Sequence, residues 1–499
     1  MNPTDGMFDA LLAAARNFPY ACLLHSNQAP GRHRDWLAAL GARRVYTGDP
    51  EGLEAFAAAG SGWLFGYLTY DLKNTLCQPE RSVGRLSSLL PDRIGFAELC
   101  WFEPEGLAVC EQGVMSYPLG GEAWFREKLG AEAAGAAGAA GSAGAAGAAE
   151  SAESAGGPVF ATSAPAQASV PAPAQASVPD YASVPAQAQA SAPDSASAPA
   201  QASAQAPAQA SVPASVPRSP APTCDFSFNN YAETVQKLRT HIREGDVYEV
   251  NLCPQFYASG VTLDPVAAFQ DLNKRSKAPF AGYFRMEQHH LLCASPERFL
   301  QLRGNLLRSQ PIKGTAPRGG STEQDALLAT GLLASEKDRA ENTMIVDLVR
   351  NDLARVCEPG SVRVPELCGL HTFQTLHHLI STVEGRLRPG QSLHDVLQAA
   401  FPMGSMTGAP KIMALQLIER YEHSRRGLYS GSLGYLEPGG DMDLNVVIRS
   451  LLYDAASGTV VWGAGGAITW DSEPAAEWNE LHIKAGAVQQ VLSGVEAAH

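Results

Sequence analysis

Between about residue 131 and Pro222 the 499-residue chain is built almost wholly from Ala, Gly, Ser, Pro and Gln. The segment opens with Ala-Gly-Ala-Ala-Gly repeats and continues with Pro-Ala-Gln-Ala-Ser-Val repeats. Large side chains are almost absent, so it cannot bury enough apolar surface to offset the entropy lost on ordering. It reads as a disordered linker, extended where proline is dense. The folded parts must therefore come from the flanks, 1–130 and 223–499, and the length of the chain calls for more than one folding unit.

Composition narrows the function. Hydrophobic residues make up 45%, ordinary for a soluble globular protein, and no apolar run is long enough to span a membrane. Against 37 Lys and Arg stand 51 Asp and Glu, a net charge of −14. That balance argues against nucleic acid or an anionic membrane surface as partner. An anionic substrate would need a local cluster of cations or a metal. Nine scattered cysteines without any Cys-x-x-Cys pair point to reduced thiols, not to a disulfide or zinc framework. The N-terminal residues lack a basic stretch followed by an apolar block, so the expected location is cytoplasmic.

In the N-terminal part, Ala21–Ser26 and Gly62–Asp71 are short apolar and aromatic runs broken by glycine, which suits strands. The C-terminal part mixes strands and helices. One predicted helix starts near Ser335, with Asp338 in capping position, and runs to about Leu353. It sets Glu341 on the same face as Ile345 and Leu348, an unfavourable place for a carboxylate without a partner. Another starts at Ser472-Glu473-Pro474 and carries Glu477, Glu480 and Lys484 on one face.

Several residues can do chemistry. Lys313, in Pro311-Ile312-Lys313-Gly314-Thr315, reads as an amine presented on a turn, where Gly314 allows close backbone approach. Glu297, in Ser295-Pro296-Glu297, is the carboxylate to pair with it as general acid or base. Glu341, Glu477 and Glu480 are hard oxygen donors suited to Mg²⁺; the plainer reading makes Glu477, Glu480 and Lys484 a solvated, self-paired face. The run Gly404–Lys411 could offer backbone N–H groups to an anion or form a tight structural turn. Tyr429 and Arg449 flank a hairpin turning at Gly439-Gly440-Asp441; Arg449 is either a carboxylate clamp or half of a structural ion pair. Gly465-Gly466 permits close approach of a ligand to the backbone. His378 is an acid/base candidate or a satisfied core histidine.

These motifs resemble, in order and spacing, the chorismate-utilising enzymes. The segments are Gly245–Leu252, Ser295-Pro296-Glu297, Pro311–Thr315, Glu341-Asn342, Gly404–Lys411, and Glu477 with Glu480. The family includes anthranilate, aminodeoxychorismate, isochorismate and salicylate synthases. The resemblance covers nearly all of 223–499 and, more weakly, the N-terminal region; the linker has no counterpart. It implies an α+β fold of two interleaved subdomains, with stacked, largely antiparallel sheets flanked by helices as a four-layer α-β-β-α sandwich. Lysine at 313 and asparagine at 342 resemble the branch that forms aminodeoxychorismate. The anthranilate branch usually carries alanine and histidine there, and glycine where this chain has Ala467.

The resemblance implies chorismate as the substrate, its ring carboxylate bound by Mg²⁺ that Glu341 and Glu480 hold with Glu477 nearby. It implies that Tyr429, Arg449, Thr315, Lys484 and the backbone of Gly465 and Gly466 hold the rest of the molecule. By the same likeness Lys313 attacks C2 as a neutral amine, with its pKa lowered by burial and neighbouring cations, and Glu297 protonates the leaving hydroxyl. His378 would assist proton transfer or orient the substrate. No cysteine sits on a glycine-flanked nucleophile elbow, so the expected ammonia source is a separate glutaminase subunit. The N-terminal region is a candidate tryptophan site, around Leu24–Ser26 and Gly62–Asp71. Anthranilate or isochorismate chemistry, or a catalytically silent subunit binding chorismate or tryptophan, are the competing readings.

Overall fold

A computed structural model describes residues 3–29, 34–77, 88, 90–129 and 222–495. Residues 130–221, which hold the stretch expected to be a disordered linker, lie outside the described residues.

Two ten-stranded sheets carry the fold, and neighbouring strands in them pair antiparallel. The first runs Val114–Leu119, Gly106–Glu111, Trp36–Leu40, Tyr20–His25, Phe280–Met286, His289–Ser295, Ser450–Asp454, Thr459–Gly463, Gln255–Ala258, Thr223–Cys224. The second runs Ile312–Pro317, Leu376–Arg386, Leu306–Gln310, Arg298–Arg303, Met442–Asn445, Ser432–Leu436, Leu64–Leu68, Leu99–Glu103, Arg44–Tyr46, with Arg363–Thr372 also beside Leu376–Arg386. A small third sheet joins Gly408–Ala409, Glu249–Leu252 and Gly466–Ile468.

The boundary near residue 130 divides the sequence but not the sheets. Tyr20 pairs with Met286 and His25 with Ala281; Leu64–Leu68 pairs with Ser432–Leu436. Both flanks of the low-complexity stretch belong to one compact unit.

Strand alternation sets the layers. Along Trp36–Leu40, Trp36, Ala38 and Leu40 join one apolar core while Leu37 and Ala39 join the other, as a period of two dictates. The first core is roofed by the helices Pro3–Ala14, Phe228–Glu244, Pro265–Ser276, Lys411–Tyr421 and Pro474–Val495, through Leu11, Val235, Phe269, Leu415 and Val488. The second core holds the facing sides of both sheets and reaches the helices Glu336–Ala354 and Leu393–Ala400 through Ile345 and Leu397. The result is the helix–sheet–sheet–helix order that the family resemblance implied.

The helix Glu336–Ala354 starts where Ser335 accepts a hydrogen bond from the Asp338 N–H. Pro474 opens the helix Pro474–Val495, where its missing N–H costs no internal bond. No helix among the described residues is long and apolar enough to cross a membrane.

Candidate active site

Lys313 sits in a strand, not on the turn that its Gly neighbour suggested. In the pairing of Ile312–Pro317 with Leu376–Arg386, Ile312 faces Ile380 and Thr315 faces His378. Lys313 and Gly314 together oppose Leu379, so the strand is bulged there, and a bulge re-aims a side chain. Gly314 takes a φ of 91°, which disfavours any residue with a Cβ. Asn342 completes the device. Its buried amide donates to Lys313 O at 3.3 Å and to Leu379 O at 3.2 Å, and its Oδ1 accepts from Ser381. One helix thus pins the bulge through Asn342 and offers the adjacent Glu341 to the cavity.

The cavity encloses about 680 Å³, within the range of small-molecule sites. Its wall contains each residue that the sequence offered for catalysis, substrate or metal: Glu297, Lys313, Thr315, Glu341, His378, Tyr429, Arg449, Gly465, Gly466, Glu477, Glu480 and Lys484. Lys313, Lys337, Arg449 and Lys484 supply the local cations that an anionic ligand needs in a chain of net charge −14. A Cβ on Gly465 would stand 2.3 Å from Leu252 O and 2.6 Å from Cys253 Sγ, so only glycine fits this wall. The region considered for tryptophan holds a smaller cavity of about 70 Å³, which Leu24, His25 and Ser26 help to line, below the usual size of a ligand site.

Glu297 is buried and accepts a hydrogen bond from the Ser405 hydroxyl at 2.6 Å. Burial pushes its pKa up to about 7, although Ser405, the Lys313 charge and the Ile312 N–H favour the anion. A carboxyl poised there can give or take a proton at neutral pH.

Lys313 departs from expectation. Burial alone would lower its pKa, but Glu249, Glu341, Glu297 and Glu480 outweigh burial and raise it. The lowering expected from neighbouring cations is therefore corrected: carboxylates dominate its surroundings. Glu249 is foremost. It is 1% exposed, its Oε1 lies 3.9 Å from Lys313 Nζ, and its Oε2 has no hydrogen-bond partner among the described residues.

Burial lowers His378 to a pKa of about 3, helped by the Arg449 charge, so the ring is neutral at physiological pH. Its Nδ1 lies 2.9 Å from Thr315 Oγ1. This arrangement suits orientation and not proton donation by an imidazolium. Arg449, with a φ of 54°, makes no hydrogen bond or ion pair that orients its guanidinium among the described residues. Burial lowers its pKa, with Tyr429 and Glu480 opposing. An open guanidinium on a cavity wall is a receptor for a carboxylate.

The acidic side of the cavity is built from the helices Glu336–Ala354 and Pro474–Val495. Glu477 is buried and accepts from Ser472 Oγ at 2.8 Å. Lys337 Nζ lies 3.9 Å from Glu341 and 3.7 Å from Glu477. Lys484 Nζ lies 2.7 Å from Glu480 and donates to Gly465 O at 2.8 Å. Burial raises the pKa of Glu341 against the pull of Lys313 and Lys337; for Glu480 burial also pushes upward, but Lys484, Lys337 and Lys313 win and lower it. In charge and donor type this trio fits a hard divalent cation, and an ammonium already stands between two of its members. The oxygens are not gathered, however. Among the described residues, ligand atoms of three such side chains come within 4.8 Å of one another only at His241, Glu244 and Asp246, where His241 already contacts Asp246 and Tyr421.

The Gly404–Lys411 run serves differently from an anion cradle. Lys411 turns away to Asp352 at 2.6 Å and Ala400 O at 3.0 Å, while Ser405 reaches Glu297. Ser405, Lys337 and Asn251 line the cavity and Glu249 lies against Lys313, and none was assigned a role from sequence. Glu249 had a signal: it sits beside Val250 in an apolar strand, the same anomaly that marked Glu341.

Comparison with known proteins identifies relatives of the chain. Aminodeoxychorismate synthase component 1 of Klebsiella aerogenes is 45% identical over 273 residues, covering 55% of this chain and 59% of that protein. The protein of that name from Escherichia coli K12 is 42% identical over 266 residues, covering 53% and 57%. The matched part thus spans little more than half of these relatives. Among solved structures, anthranilate synthase component I of Streptococcus pneumoniae aligns with a TM-score of 0.59 at 25% identity, over 85% of this chain and 80% of that one. The menaquinone-specific isochorismate synthase of Escherichia coli aligns with a TM-score of 0.62 at 15% identity, over 95% and 88%, a likeness of fold. Residues 134–490, well over half of the chain, match the chorismate binding enzyme family, and the chain belongs to that family.

Proposed function

We propose that this chain converts chorismate and ammonia into 4-amino-4-deoxychorismate and water. The observation that carries the reading is Lys313, presented by a bulge to a cavity in which Glu297 titrates near neutrality. Relatives named aminodeoxychorismate synthase component 1, 37–45% identical to this chain, support the branch.

Chorismate carries two carboxylates, an enolpyruvyl ether and a C4 hydroxyl. Arg449 and Tyr429 take one carboxylate, with Thr315, Lys484 and the backbone of Gly465 and Gly466 completing the cradle. Glu341 and Glu480, with Glu477 beside them, would hold Mg²⁺ on the side of the cavity that receives the ring carboxylate. The ion, when bound, withdraws electron density from the ring through that carboxylate. An ion on Glu341 and Glu480 would offset two of the four carboxylates that raise the Lys313 pKa, leaving Glu249 and Glu297 against the burial that favours the neutral amine.

Lys313 Nζ then bonds to C2, both ring double bonds shift around the ring toward C4, and the C4–O bond breaks. Glu297 gives its proton to the departing oxygen, which leaves as water. Ammonia bonds to C4, both double bonds return, and the C2–N bond to Lys313 breaks. Glu297 recovers a proton from the incoming nitrogen. His378, neutral and bonded to Thr315, orients the substrate. Ammonia comes from a separate glutaminase subunit, and free ammonium substitutes for it at high concentration. The product keeps its enolpyruvyl group, so a lyase that expels pyruvate must act after it.

The test is product identification by liquid chromatography and mass spectrometry, from pure protein, chorismate, Mg²⁺ and ammonium. 4-Amino-4-deoxychorismate supports the proposal. Fluorescent anthranilate or isochorismate refutes the branch, and unchanged chorismate identifies a silent subunit.

A further inference from the structure

Each of the proposed metal carboxylates already has a lysine of this chain on it. Lys337, one turn before Glu341 on the same helix, stands between Glu341 and the buried Glu477 at 3.9 and 3.7 Å. Lys484 holds Glu480 at 2.7 Å. The two lysines differ in freedom. Lys484 is anchored by its second bond, to Gly465 O, and its side chain is 26% exposed. Lys337 has no hydrogen bond among the described residues and its side chain is 57% exposed. A long exposed side chain can leave its place at little cost.

A divalent ion held by Glu341 with Glu477 beside it cannot share that space with an ammonium group, because like charges a few ångströms apart repel. We propose that Lys337 is a built-in counter-ion of the metal carboxylates, which leaves when the ion binds and pairs with the anionic substrate that arrives with it. The inference rests on the magnesium-dependent reading above. Lys337 then weakens metal binding in the empty site and gives its charge back once a carboxylate of the substrate is present. Metal and substrate therefore favour each other, and by linkage the effect is mutual.

The test is isothermal titration of Mg²⁺ into the full chain without ammonium, for the wild type, K337M and K337R, each with and without chorismate. Two solvent-screened ion pairs are lost in K337M, so it should bind Mg²⁺ alone about three- to tenfold more tightly than wild type. K337R, which keeps the charge, should stay within about twofold of wild type. The tightening that chorismate produces should be smaller in K337M. Equal or weaker Mg²⁺ binding by K337M overturns the inference while leaving the reaction intact. If the wild type binds no Mg²⁺ even with chorismate, the metal reading falls and this inference with it.

Discussion

Replacing Asn342 by alanine tests the link between bulge and chemistry. Its side chain makes three hydrogen bonds, two buried and one part-buried: it donates to the carbonyls of Leu379 and Lys313 and accepts from Ser381. A hydrogen bond contributes about 0.5–1.5 kcal/mol net, and orphaned buried groups cost more, so the loss should be about 2–4 kcal/mol. Equilibrium urea denaturation, monitored by tryptophan fluorescence, should show a lower midpoint. The bulge would also lose the clamp that fixes Lys313. Misplacing a reacting group by about 1 Å can cost about 100-fold, so product formation should fall at least about tenfold at temperatures where the variant stays folded. Asn342→Asp keeps the acceptor for Ser381 but loses both donors and buries a charge, so it should be no better. Lower stability with unchanged turnover would show that Asn342 does not position Lys313. No change in either measurement would refute the hydrogen-bond argument itself.

The electrostatics of the cavity give three further expected outcomes. Ser405 stabilises the ionised form of Glu297, so Ser405→Ala should move the ionisation near 7 in the pH profile of kcat/KM upward by about one to two units; a fixed or lower value contradicts the assignment. His378 is held neutral with a pKa of about 3, so His378→Gln should remove no ionisation from that profile between about pH 5 and 8. Glu249 is the carboxylate that most raises the pKa of Lys313, so Glu249→Gln should lower it and speed the labelling of Lys313 by an amine-directed reagent, read by peptide mass spectrometry; slower labelling would contradict that role.

The sequence announced the site through anomalies that are local. Glu341 declared itself as a carboxylate on an apolar helix face, and the capping Ser335 marked where that helix begins. Lys313 and Glu297 stood out because Gly314 frees the backbone beside the one and Pro296 fixes it beside the other. What stayed hidden depends on contacts between distant segments. The antiparallel pairing of Tyr20–His25 with Phe280–Met286 crosses the low-complexity stretch, and strand periodicity cannot name a partner so far away. The bulge at Lys313 and Gly314 exists only in register with Leu379, so a turn was the natural reading of the isolated run. The charge of Lys313 is set by carboxylates on four other segments, at 249, 297, 341 and 480, none adjacent to it in sequence. The glycines of Gly404–Lys411 left an anion cradle and a structural turn equally open, and only the distant partner Asp352 shows where Lys411 is held.

The central claim is that Lys313 bonds to the substrate. Intact-protein and peptide mass spectrometry after acid quenching, with chorismate and Mg²⁺ present and ammonium withheld, tests it most directly. The predicted result is an adduct on Lys313 with the mass of chorismate less one water, absent from Lys313→Ala, which should also make no aminodeoxychorismate. Full aminodeoxychorismate production by Lys313→Ala would contradict it.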